Sequence, residues 1–174
     1  DGHNVFFDED ATFGKSWGMN DYMERTGKQL IIVGVECNHQ GNCRLSEYSP
    51  VTFENAELGK IRGRGSTTMN WMVNELKPYI DEHFRTLPDR RNTILAGSSM
   101  GGLMALYGAT AYNSVFQRAA CLSPSLWVAP GKVMEMIARA RIRPDTTIYM
   151  DYGENEMANH VASQAVIPSA VYLL

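Results

Sequence analysis

Apolar positions along this chain come in blocks of two alternating kinds. Residues 29–36 (QLIIVGVE) form a continuous β-branched run, which predicts a strand covered on both faces. A polar, glycine-containing loop is expected from Cys37 to about Gly65. Between Ser66 and Phe84 the pattern changes: Met69, Met72, Val73, Leu76, Ile80 and Phe84 recur at helical spacing, with Ser66 or Thr67 as the N-cap. Pro78 falls inside that stripe, and the stripe continues past it, so a kink is expected there rather than an end.

The second half repeats the alternation. Residues 92–96 and 146–151 read as buried strands, and 116–122 as a third whose alanines weaken the signal. Helices are expected over 103–111 and 132–140. Strand alternating with helix at this spacing implies crossover units. The expected fold is a three-layer α/β domain over residues 1–174, its sheet mainly parallel with helices on both faces. The chain carries no internal repeat, low-complexity segment or linker.

Composition narrows the function classes. Sixteen basic against 19 acidic residues give a net charge of −3 with no basic run, which argues against a nucleic-acid partner. No apolar stretch reaches the ~18 residues of a membrane span, so no membrane partner is expected. The chain opens on Asp1-Gly2-His3-Asn4, neither an initiator methionine nor a signal peptide, and reads as cut from something longer. Three cysteines (Cys37, Cys43, Cys121) do not make a disulfide framework; reduced thiols in a cytoplasmic setting are expected.

The chemistry concentrates in residues 93–102 (TILAGSSMGG). Gly97 to Gly101 fits G-x-S-x-G with Ser99 in the middle, between a β-rich run and an apolar helix. In that context the motif is a strand turning abruptly into a helix, with the middle residue strained and its oxygen exposed. The flanking glycines are expected to remove Cβ atoms that would collide across the turn. The Met100 N–H, at the helix start, would point to where an oxyanion forms.

With DGHNVF at 1–6, EYSP at 47–50, NELKPYID at 74–81, AGSSMGG at 96–102, LSPSLW at 122–127 and DYGENE at 151–156, the sequence resembles an esterase group of the α/β-hydrolase superfamily. That group is related to the enterochelin, feruloyl and D-type esterases and to the mycolyltransferase antigens. The resemblance runs in order from residue 1 to about 160. It implies Ser99 as nucleophile, with oxyanion donors from the backbone N–H groups of Met100 and His3. The family's pattern of a glycine, two residues and an acid implies Glu156 as the carboxylate that orients the histidine, with Asp151 and Glu154 as alternatives.

The base is where the resemblance falters. The histidine should follow the acid, beyond a further strand. Of His3, His39, His83 and His160, His160 alone follows Glu156, only four residues later. The family's C-terminal strand and histidine, and the strands before the DGH loop, are therefore expected to be absent, and local rearrangement or a second copy of the chain would cover the exposed sheet edge. His83 reads as a helix-surface residue. The 37–43 segment (CNHQGNC) offers at most three ligands and no distant partner, so no metal and no cofactor is expected there. Two functions follow: a serine carboxylesterase acting on a small-molecule ester through an acyl-enzyme on Ser99, with Trp17, Tyr48, Trp127 and Met100 as pocket walls, or a non-catalytic domain of the same ancestry that binds a partner or itself.

Overall fold

The computed structural model describes residues 1–153, which fall into two compact units, Asp1–Arg44 and the chain from Leu45 onward. The candidate residues Glu154, Glu156 and His160 lie outside the described residues.

In the first unit a single 3-10 turn, Gly2–Asn4, is followed by helix α1 (Met19–Thr26). Gly18 and Gly27 bracket α1 in left-handed conformations, φ 64° and 60°, which glycine adopts without a Cβ penalty. Residues 29–36 depart from the sequence expectation. They pair with no strand among the described residues, and Leu30, Ile31 and Val33 are 53%, 48% and 41% exposed. β-branched residues favour extended backbone, but a strand also needs a neighbouring strand, and the described residues supply none beside this segment. What this segment does meet is the N-terminal turn: a Cβ on Gly2 would lie 2.6 Å from the carbonyl carbon of Gly34, so the two backbones pack directly. Arg44 closes the unit with a two-pronged ion pair to Asp1, at 2.6–2.9 Å. A short helix, α2 (Cys43–Glu47), spans the boundary between the units.

The second unit begins with an antiparallel hairpin, β1 (Phe53–Asn55) and β2 (Gly59–Ile61), within the stretch expected to be loop. Its turn is local chemistry: Asn55 Oδ1 accepts the N–H groups of Glu57 and Leu58, and Gly59 takes φ 67°. The long amphipathic stripe then forms α3 (Gly65–Trp71), a π turn (Met72–Leu76) and α4 (Lys77–His83) in direct succession. The π turn precedes Pro78, whose ring in a regular α-helix would strike the carbonyl four residues back. Widening that one turn lets the stripe run past the proline.

Among the described residues the sheet holds three parallel strands in the order β3 (Ile94–Ser98), β4 (Arg118–Leu122), β5 (Thr147–Asp151). The connections are α5 (Met100–Ala111) and α6 (Pro130–Ala138). Helix α5 is apolar around its whole circumference, as LMALYGATA suggests, and it is buried accordingly: Leu103, Ala105, Leu106 and Ala109 are at most 2% exposed. At about 1.5–3 kcal/mol for each large apolar side chain buried, this helix and the strands beside it dominate the stability of the unit.

The register brings Ser98, Leu122 and Asp151 level at the carboxyl ends of the strands. At the opposite ends Arg90, its side chain 9% exposed, donates to the carbonyl of Asn113, to Asp145 Oδ2 (2.8 Å) and to Thr146 Oγ1 (2.9 Å). That guanidinium ties together the loops that enter β3 and β5. The α/β class is as expected from the sequence.

Candidate active site

Ser99 stands where β3 becomes α5, with φ 55° and ψ −119°. A non-glycine residue in that region carries strain on the order of 1–3 kcal/mol and persists only if its surroundings over-determine it. They do. Its N–H donates to the Leu122 carbonyl at 3.0 Å, and its own carbonyl accepts from Leu103 at 3.1 Å and from Ser125 at 3.0 Å. The first bond extends the β3–β4 ladder by one residue, and the second opens α5. The corner is held from the sheet, from the helix and from the loop after β4 together.

The glycines divide the work differently from the expectation. A Cβ on Gly97 would lie 2.3 Å from the Gly101 carbonyl carbon and oxygen, so Gly97 is needed for closure of the turn. A Cβ on Gly101 itself would meet nothing within 4 Å. The second close approach is at Gly102, whose Cβ would come 2.9 Å from the Leu122 carbonyl and 3.0 Å from Pro124 Cα. Gly97 and Gly102 are the steric requirement; Gly101 contributes its backbone.

The Ser99 hydroxyl lies 3.1 Å from the Ser125 hydroxyl. Ser125 is 2% exposed, and sequence reasoning did not single it out, although the SPSLW segment that carries it belongs to the family resemblance. The Met100 side chain is buried at 1% exposure, so it packs into the core rather than lining a pocket. Its N–H is in the first turn of α5, where the helix leaves N–H groups unpaired and its dipole favours negative charge.

Asp151 closes the same edge. Its Oδ1 accepts the N–H of Ser123 at 3.0 Å and its Oδ2 accepts the Tyr149 hydroxyl at 3.2 Å. Ser123 is the other non-glycine residue with positive φ among the described residues, at 44°, so the carboxylate pins a strained turn directly after β4. The same charge, after burial, helps push the Cys121 thiol up to about 12. It also raises the Tyr149 hydroxyl, through their hydrogen bond first.

His83 stacks on Tyr79 with ring centroids 4.1 Å apart on the exposed surface of α4, as the sequence implied. His3 belongs to the first unit, and there its backbone N–H donates to Glu36 Oε2 at 2.9 Å. The donor assigned to an oxyanion is thus already spent on a carboxylate. Of the expected pocket walls, Tyr48 is buried in the core and Trp127 packs edge-on against Phe53 at 6.4 Å, while Trp17 is 38% exposed.

Comparison with known proteins places this corner in a wider setting. A solved structure, the BES protein from Bacillus cereus, superposes with a TM-score of 0.63 at 21% identity, covering 99% of this chain and 68% of that one. An IroE-like serine hydrolase from Shewanella oneidensis gives a TM-score of 0.54 at 18% identity, over 75% of this chain and 46% of the other. Both likenesses concern the fold. Among curated proteins, the uncharacterized protein YbbA of Bacillus subtilis (strain 168) is 24% identical over 131 residues, 74% of this chain. The matched region spans about half of YbbA, 50% of its length. A family model described as Putative esterase matches residues 5–170, a span that takes in the β3–α5 corner with Ser99, the SPSLW turn and Asp151. On that match, which covers nearly the whole sequence, the chain belongs to the Putative esterase family.

Proposed function

We propose that this protein is a serine carboxylesterase that hydrolyses a small carboxylic ester through an acyl-enzyme on Ser99. The observation that carries the reading is the strained backbone of Ser99, locked between strand and helix with its hydroxyl at the carboxyl edge of a parallel sheet. Ligands of open α/β sheets bind outside that edge. Family membership and the serine hydrolase among the similar folds agree with it.

In this mechanism Ser99 Oγ attacks the acyl carbon and gives its proton to an imidazole. The tetrahedral oxyanion is held by the Met100 N–H at the head of α5. Collapse expels the alcohol, which takes the proton back from the imidazolium, and water then attacks the acyl-enzyme to release the acid and free Ser99. We assign Glu156 as the acid and His160 as the base from their order in the sequence. Asp151 is a weaker candidate for the acid, since both of its oxygens are engaged in holding Ser123 and Tyr149. His3 would serve as second oxyanion donor only on leaving Glu36. The three-layer arrangement, the cytoplasmic setting and a homo-oligomer over the sheet edge belong to the same reading.

One observation favours a second reading, a non-catalytic domain that binds a partner or itself: among the described residues, the side chain hydrogen-bonded to Ser99 Oγ is the hydroxyl of Ser125 rather than an imidazole. Turnover of an activated aryl ester separates the two. An esterase shows a pre-steady-state burst of one alcohol per chain that Ser99→Ala abolishes, with the steady rate falling by about 10³-fold or more. A rate unchanged in Ser99→Ala assigns the residual hydrolysis to non-specific surface groups and leaves the binding reading.

A further inference from the structure

The first unit contains a second cluster of reactive side chains that the esterase reading does not use. His3 Nδ1 lies 2.6 Å from Glu36 Oε2, and His39 Nε2 lies 2.7 Å from Glu36 Oε1, so one carboxylate holds two imidazoles. The two rings meet edge to face with centroids 5.1 Å apart. One ligand atom from each of the three residues falls within 4.8 Å of the others. The sequence had shown the 37–43 segment without a distant partner; the fold supplies one, His3, together with the adjacent Glu36.

The backbone around the cluster is built for close approach. Gly2 packs on Gly34 with no room for a Cβ, which sets the N-terminal turn alongside residues 34–36. His3 Nε2 lies 2.7 Å from Thr12 Oγ1, and Thr12 is itself fixed by its N–H to Asn4 Oδ1 at 2.8 Å. A metal-bound histidine keeps its remaining proton on the other ring nitrogen and donates it to such a partner. The Cys37 thiol is directed to Asp1 Oδ1 at 2.9 Å and borders the set, with its sulfur 3.9 Å from His39 Nε2.

We propose that His3, Glu36 and His39 form a binding site for a divalent transition-metal ion of the zinc class, with the fourth position open to water. Two imidazole nitrogens and a carboxylate suit such an ion. Bonds of about 2.0–2.1 Å in a tetrahedral site put neighbouring donors about 3.3 Å apart. At the Glu36 oxygen that ligates, the nitrogen–oxygen separation of 2.6 or 2.7 Å therefore opens by roughly 0.7 Å as the ion replaces the two hydrogen bonds. Each neutral imidazole keeps one proton, shifted to its far nitrogen: Nε2 of His3, facing Thr12, and Nδ1 of His39. Because the site lies wholly within residues 1–44, the inference does not rest on the esterase reading.

The test uses the full chain, stripped of metal by a chelator and titrated with Co²⁺ or Zn²⁺ alone. The expected result is saturable binding of one equivalent, with the intensified visible bands of low-coordinate Co²⁺ that Zn²⁺ displaces. His39 has a 56% exposed side chain, so His39→Ala leaves the fold intact and weakens binding about 100-fold or more. Thr12→Val, which removes only the partner of a ligand, weakens it about 10–100-fold. No saturable binding to the wild-type chain overturns the proposal. Binding that survives His39→Ala within a few-fold overturns it as well, by placing the ion elsewhere.

Discussion

At the residue scale, the molecule's chemistry depends on where a Cβ is tolerated and where a carboxylate is spent. Gly97→Ala forces a 2.3 Å approach to the Gly101 backbone, which no side-chain movement relieves, so the corner must open. A loss of about 1–3 kcal/mol and of Ser99 reactivity is expected. Gly101→Ala has free space in front of it and sits inside a helix, where alanine is favoured over glycine by up to ~1 kcal/mol. Thermal melts of the two variants should therefore shift in opposite directions; equal losses would mean that the motif's second glycine is sterically required after all. Asp151 gives a second contrast. If it pins Ser123 rather than orienting the base, Asp151→Asn keeps an oxygen for the Ser123 N–H and lowers ester turnover by less than about tenfold. A drop near 10⁴-fold would instead mark it as the acid.

At the scale of elements, what was legible in the sequence was whatever local pattern determines. The all-round apolar α5, the β3–α5 corner and the strand before Asp151 were read within a few residues, because periodicity and a steric motif are both local signals. The 29–36 run was misread for the converse reason: its β-branched residues specify extended backbone, while a partner strand is a non-local fact. The hairpin at 53–61 was missed because its strands are three residues each and its turn rests on one asparagine and one glycine. The His3–Glu36–His39 cluster was invisible in the same way, since 33 residues separate its first two members. Arg90 also escaped notice, though it joins three loops. Arg90→Met removes hydrogen bonds to Asn113, Asp145 and Thr146 at the end of the sheet away from Ser99. The expected cost is about 1–3 kcal/mol in urea unfolding, with KM for an ester substrate unchanged. A raised KM with stability intact would contradict that assignment.

At the scale of the whole molecule, the stability should carry the mark of one buried thiol. Cys121, fully buried in β4, has its ionisation pushed up to about 12 from an ordinary 9.0, by burial first and by Asp151 second. A raised value means that the folded chain keeps a proton which the unfolded chain gives up. The contribution is fully present below pH 9 and is lost as pH rises from 9 towards 12. At its limit it amounts to something on the order of 4 kcal/mol. Unfolding free energy followed from pH 8 to 11 should fall more steeply for the wild type than for Cys121→Ala; parallel curves would remove the thiol from the account. No described helix is long and apolar enough to cross a membrane.

The central claim is that Ser99 is not merely strained but activated, and a covalent probe tests that most directly. Purified protein treated with a fluorophosphonate and weighed intact should gain one adduct, and Ser99→Ala should gain none. The adduct would then be traced to the peptide carrying residues 93–102, and its loss in His160→Ala would assign the base. A folded wild-type sample that stays unmodified would contradict the account, leaving the β3–α5 corner as inherited architecture and the binding reading in its place.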